Sequence, residues 1–133
     1  MTVVNMKRLE AAHQGWQRRI LGITWKDKIT NEEVRRRTGM TKLEDIIRRR
    51  RLLWLGHTCR MEEGRTAKQV LRWNPADRAR RRGRPKMSWQ TTVDRDLKQM
   101  EMTWEEAEKA AEDRLAWINC VARCAGGTGR TKV

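Results

Sequence analysis

The sequence predicts an all-α fold, a small bundle of about five or six helices with a basic loop and a flexible C-terminal tail. Three observations carry that expectation. No segment alternates apolar and polar residues with period two, so no half-buried strand is written into the chain. Apolar residues recur instead at three- and four-residue steps. Capping-box sequences stand in front of several such stretches: Thr30-Asn31-Glu32-Glu33, Thr41-Lys42-Leu43-Glu44 and Thr103-Trp104-Glu105-Glu106. In each, a hydroxyl and a third-position carboxylate can satisfy exposed backbone N–H groups.

From about Met6 to Leu21, the residues Met6, Leu9, Ala12, Trp16 and Ile20 fit one helix face, with Gly22 as the stop. Ile23 to Ile29 is a connector in which Trp25 is expected to cover the core. The Thr30 box opens a short helix through Thr38, closed by Gly39, and the Thr41 box opens a long one to about Arg60. The pair over 31–60 looks like a helix-turn-helix, a spacing it shares with any tight αα-corner.

In the long helix Leu43, Ile46, Ile47, Leu53, Trp54 and His57 are expected on the apolar side. Arg48, Arg49 and Arg51 would then point outward, with Arg50 running its stem along the core. Arg65 to Trp73 forms a shorter amphipathic piece through Ala67, Val70 and Leu71. Asn74-Pro75 breaks it, and 74–87 is a basic loop that can bury nothing. Ser88 caps a helix to about Met100, with Trp89, Val93, Leu97 and Met100 inward. The last helix carries a stripe of Trp104, Ala107, Ala111, Leu115, Ile118 and Ala122, and its early acids complement the helix dipole. One domain is expected over 1–125, its C-terminal helical pair over 88–124, with 126–133 a disordered tail.

The 133 residues carry a formal net charge of +14, and the pI is near 11.0. That balance points to nucleic acid or an anionic surface. Between Arg35 and Lys86 there are eighteen basic and five acidic residues, whereas Asp94 to Trp117 holds eight acidic and four basic. The cationic excess therefore sits in the middle of the chain. Seven tryptophans carry the whole aromatic load, because Phe and Tyr are absent. No apolar run reaches membrane-spanning length, and the first residues lack the apolar stretch of a signal peptide. Three cysteines without a secretory signal fit a reducing, intracellular setting.

Two candidate binding elements follow. Arg48, Arg49 and Arg51 could neutralise phosphates from a helix whose anchor is Trp54. Arg78, Arg80, Arg81, Arg82, Gly83, Arg84, Pro85 and Lys86 form the second, which contains the Arg-Gly-Arg-Pro core of an AT-hook. In such a segment Gly permits close backbone approach, Pro holds an extended course and arginines reach a narrow minor groove. A loop that holds phosphates without reading sequence explains the same residues. His57, Cys59, Cys120 and Cys124 are weak candidates for zinc, since His57 and Cys59 are two apart on a helix and face different directions. Buried thiols are the simpler role. The chain has no Gly-rich phosphate loop, nucleophile elbow or Asp-Asp pair, so neither catalysis nor a cofactor is implied.

Six motifs recur in an order that resembles one family. They are Lys7-Arg8-Leu9-Glu10, Arg18-Arg19-Ile20-Leu21-Gly22-Ile23, Thr30-Asn31-Glu32-Glu33-Val34, the run Ile47-Arg48-Arg49-Arg50-Arg51-Leu52-Leu53-Trp54-Leu55-Gly56-His57, Arg82-Gly83-Arg84-Pro85, and Thr103-Trp104-Glu105-Glu106-Ala107. Together they resemble the C-terminal, post-polymerase region of LINE-type (non-LTR) retrotransposon endonuclease–reverse transcriptase polyproteins, especially RTE-like ones. The resemblance implies a parent that nicks DNA and primes reverse transcription from the nick, with both active sites upstream of Met1. It further implies RNA or DNA as partner, an upstream reverse transcriptase domain as a second one, and a nuclear location. A zinc knuckle found in some relatives would need a Cys-x-x-Cys start that this chain lacks. The expectation is a non-catalytic nucleic-acid-binding domain. The alternatives are a scaffold packing on a polymerase thumb, or a truncated relic of a decayed element.

Overall fold

A computed structural model of the chain describes residues 2–71, 73 and 88–125. Among them the fold is all-α, with seven α-helices, a 3-10 turn at Trp25–Asp27 and no strand. The helices are α1 (Val3–Ile20), α2 (Asn31–Thr38), α3 (Leu43–Cys59), α4 (Thr66–Leu71), α5 (Trp89–Gln99), α6 (Trp104–Glu112) and α7 (Arg114–Ala125). They belong to two compact units, Met1–Arg48 and Arg49–Val133, where the sequence suggested one domain over 1–125. The boundary falls inside α3 and so divides the 31–60 pair. The expected loop over 74–87 and the tail over 126–133 lie outside the described residues, Ser88 and the helices that follow it within them.

In the first unit α1 begins at Thr2, whose hydroxyl accepts from the Asn5 amide at 3.3 Å. Its inward residues are not the expected apolar stripe. Gln14 and Gln17 are buried, while Leu9, Trp16 and Ile20 face out, Ile20 at 83% exposure. The reason lies in the partner: α2 reads Asn-Glu-Glu-Val-Arg-Arg-Arg-Thr and offers one apolar side chain, Val34, which is fully buried. Polar groups therefore join the two helices. Thr38 Oγ1 donates to Gln17 Oε1 at 3.0 Å, and Arg18 donates to the Ile29 carbonyl at 2.7 Å and to Asn31 Oδ1 at 2.8 Å. Trp25, expected over the core, is 84% exposed.

Thr30 caps α2 as expected, accepting from the Glu33 amide at 3.3 Å. The Glu33 carboxylate does not return to Thr30; it takes Arg36 and Arg37 at 2.7–2.8 Å. Gly39 closes α2 with φ of 67°, the left-handed region where a side chain is strained. The Thr41 box does not form either. The first amide of α3, Leu43 N, donates to Glu10 Oε2 at 2.9 Å, so α1 supplies the cap.

The second unit holds a true apolar core of Leu52, Leu55, Leu71, Val93, Leu97, Ala107, Ala111, Trp117 and Val121. Its centre is Trp117, 1% exposed, whose indole N–H donates to the Leu52 carbonyl at 2.9 Å. That ring lies against Gly56, where a methyl group would overlap it. Ser88 caps α5, and the Thr103 capping box opens α6 in full. The expected last helix is two helices. Asp113 breaks it with extended backbone, and its Oδ1 caps α7 by accepting from Leu115 N at 2.9 Å and Ala116 N at 3.1 Å. The break shifts the phase, so Trp117 and Val121 go inside while Leu115 and Ala122 go outside.

Candidate nucleic-acid interface

The inward face of α3 within the second unit is set by Leu52, Leu55 and Gly56, with Cys59 half-buried beyond them. Counting back in threes and fours from Leu52 and Leu55 reaches Arg48 and Arg51, which lie along that line. Trp54 is instead 46% exposed and His57 is exposed. The tetra-arginine run is therefore split differently from its sequence expectation. Arg49 and Arg50 are exposed; Arg48 and Arg51 are half-buried and held by carboxylates.

Arg48 sits 3.8 Å from Glu44 and 3.6 Å from Asp45. Arg51 places Nε and a terminal nitrogen each 2.6 Å from Asp96 Oδ2. Asp96 has 5% of its side chain exposed and Arg51 18%, so this pair joins α3 to α5 away from bulk water. A carboxylate buried like this needs its cation, because a lone buried charge is expensive. Arg51 is thus a structural residue, which corrects its expected outward, phosphate-facing position, and Arg48 is corrected likewise. Arg49 keeps the position expected of it. Arg50, expected along the core, joins it outside.

Arg78, Arg80, Arg81, Arg82, Gly83, Arg84, Pro85 and Lys86 lie outside the described residues. The residues on either side of that segment, Trp73 and Ser88, are described, and both line one groove. It has a volume of about 490 Å³ and an apolar wall built largely from Trp54, Val70, Leu71, Trp73 and Trp89. Trp54 and Trp89 meet edge to face with ring centres 5.0 Å apart. Gln90 fixes the rim by donating to the Leu71 carbonyl at the end of α4, at 2.7 Å. The sequence placed Trp54 and Trp89 in the core and missed the groove. The signal that could have found it is Gly56: a glycine inside a helix marks a close approach, here of Trp117, and Gly56, two residues on from Trp54, lies on nearly the opposite side of the helix.

The weak zinc candidates are not brought together. Among the described residues no three His, Cys, Asp or Glu side chains converge as a metal site. Cys120 donates to Met102 Sδ at 3.8 Å. Partial burial, with Cys120 beside it, raises the Cys124 thiol above its ordinary 9.0, against thiolate formation. Among the described residues no helix is long and apolar enough to cross a membrane.

No protein-family model matches the chain, and no solved structure matches it. The chain is similar to an uncharacterized transposon-derived protein of Caenorhabditis elegans, 24% identical over 124 residues. The match covers 88% of this chain and 44% of that relative, so the chain spans less than half of the relative's length. The likeness points to a transposon origin.

Proposed function

We propose that this chain is a non-catalytic nucleic-acid-binding helical segment, derived from the region after the polymerase in a LINE-type retrotransposon reverse transcriptase. It holds the phosphate backbone of RNA or target DNA inside the cell, in the nucleus. The carrying observation is the division of labour in the arginine run. Arg51 is spent on Asp96 and thereby fixes the helix, which leaves Arg49 and Arg50 presented to solvent at the head of the most cationic stretch of the chain. Arg78, Arg80, Arg81, Arg82, Arg84 and Lys86 add to that stretch by sequence. Cations arranged this way neutralise phosphates and release counterions, which makes binding depend steeply on salt. Engagement of about six phosphates makes affinity fall as roughly the fifth power of salt concentration. Electrophoretic titration of the full chain against RNA and duplex DNA at several salt concentrations reads this directly. A flat response overturns phosphate neutralisation as the mechanism.

A second reading has its own support. The face of α1 bearing Leu9, Trp16 and Ile20 is exposed, and the similar transposon-derived protein is more than twice as long as the matched region. An upstream reverse transcriptase domain packing on that face would make the chain a scaffold. In that case the isolated chain melts without cooperativity, whereas a binding module melts as a cooperative unit.

A further inference from the structure

The groove beside α3 combines two features that seldom coincide in a surface meant only to stay soluble. Trp54, Trp73 and Trp89 expose 46%, 63% and 37% of their surface there, in a concavity with few polar atoms. The described residues of the stretch that contains every groove residue, Arg49 to Gln90, include six basic and two acidic ones. Arg50 is exposed one helical turn before Trp54 and so lies on the same side of α3. An apolar partner alone gains nothing from that charge, and a polyanion without planar groups gains nothing from the indoles. Single-stranded nucleic acid offers both, phosphates at regular intervals and bases whose faces are free to stack. A paired duplex hides those faces.

We propose that the groove of Trp54, Trp73 and Trp89 is a base-stacking site for single-stranded RNA or DNA, with Arg50 as the adjoining phosphate contact; this rests on the phosphate-binding reading above and specifies its substrate class. Stacking on an indole is tolerant of sequence, since every base has a π face. The site therefore selects single strands over duplex without selecting a sequence.

The test compares labelled oligothymidylate, a labelled duplex and labelled heparin, a polyanion without bases, on the full chain and on Trp73→Ala and Trp73→Phe. Trp73 is largely exposed and outside the apolar core, so its removal leaves the thermal melt in place. Trp73→Ala weakens oligothymidylate binding by roughly 5- to 150-fold, the range for one lost base stack. Trp73→Phe recovers most of the loss, and heparin and duplex binding stay level. Equal loss on heparin, or no loss on oligothymidylate, overturns the site. So does a loss of polyglutamate binding in Trp73→Ala equal to that of oligothymidylate, which would mark an acidic protein segment as occupant. A changed melt or sedimentation in place of changed binding also overturns it, because the groove would then be covered by this chain or a second copy. If salt-dependent binding to all three polyanions persists while the Trp73 variants are silent, stacking fails and phosphate binding stands. If the full chain binds neither nucleic acid, both fail.

Discussion

Gly56 and Trp117 fit each other as a pair, and neither can change alone without cost. The Trp117 indole occupies the volume that a methyl group on Gly56 would need, and its N–H is tied to the Leu52 carbonyl. Gly56→Ala therefore overpacks a filled site and costs about 1–3 kcal/mol. Equilibrium urea unfolding reads this as a lower midpoint at an unchanged slope. Adding Trp117→Phe removes part of the overlap, so the double variant loses less than the sum of the two single ones. Additive losses would show that the ring does not lie on Gly56. Glu33 is a second residue whose surroundings set its chemistry. The guanidinium groups of Arg36 and Arg37 hold its carboxyl at about 2, against an ordinary 4.5. A lowered folded-state value means that the stabilisation is present above pH 4.5 and is lost as pH falls through 2. Carboxyl carbon shifts followed by NMR should give a Glu33 midpoint near 2, moving back toward 4.5 when Arg36 and Arg37 are both alanine. An unmoved midpoint would leave the arginines without that role.

At the scale of the elements, the helices were legible and their faces only in part: Val93 and Leu97 of α5 and Ala107 and Ala111 of α6 are buried as read. Thr30, Gly39, Ser88 and Thr103 mark helix ends by local chemistry, a hydroxyl within reach of an amide or a glycine free to turn left-handed; all four end or start their helices, though at Thr30 only the hydroxyl half of the expected box forms. At Thr41 the box does not form, and the first amide of α3, Leu43 N, finds its acceptor on α1 in Glu10. No local pattern contains that information. Asp113 was legible in principle, as an acid followed by helix formers, but a continuous stripe through Leu115 and Ile118 hid it. The faces went wrong wherever an arginine or glutamine lies inside. Arg51 lies along the same line as Leu52 and Leu55 because Asp96, forty-five residues away, neutralises it, and Gln17 lies inside because Thr38 satisfies it. Hydrophobic periodicity counts such residues as outward and rotates the helix to suit, which placed Trp54 in the core and Arg50 beside it. The groove was hidden by that rotation. Tryptophan normally signals burial, and Gly56 was the one local hint that Trp54 faces away from the core, among three partly exposed indoles lining one concavity.

For the molecule as a whole, the charge distribution outweighs any single contact. A net charge of +14 on 133 residues is concentrated in the stretch that includes the exposed arginines of α3, while the acids of α6 complement its own dipole. Among the described residues, carboxylates serve structure, with Asp96 on Arg51, Asp113 on α7 and Glu10 on α3, and exposed cations such as Arg49 and Arg50 have no such duty. The central claim is that Arg49 and Arg50 belong to this free set and meet phosphates. It is tested most directly by the slope of log affinity against log salt for the full chain and for Arg49→Ala/Arg50→Ala on the same RNA. The account predicts a folded variant whose slope is shallower by about two, roughly one for each phosphate no longer neutralised. A folded variant with the slope of the unaltered chain would contradict it.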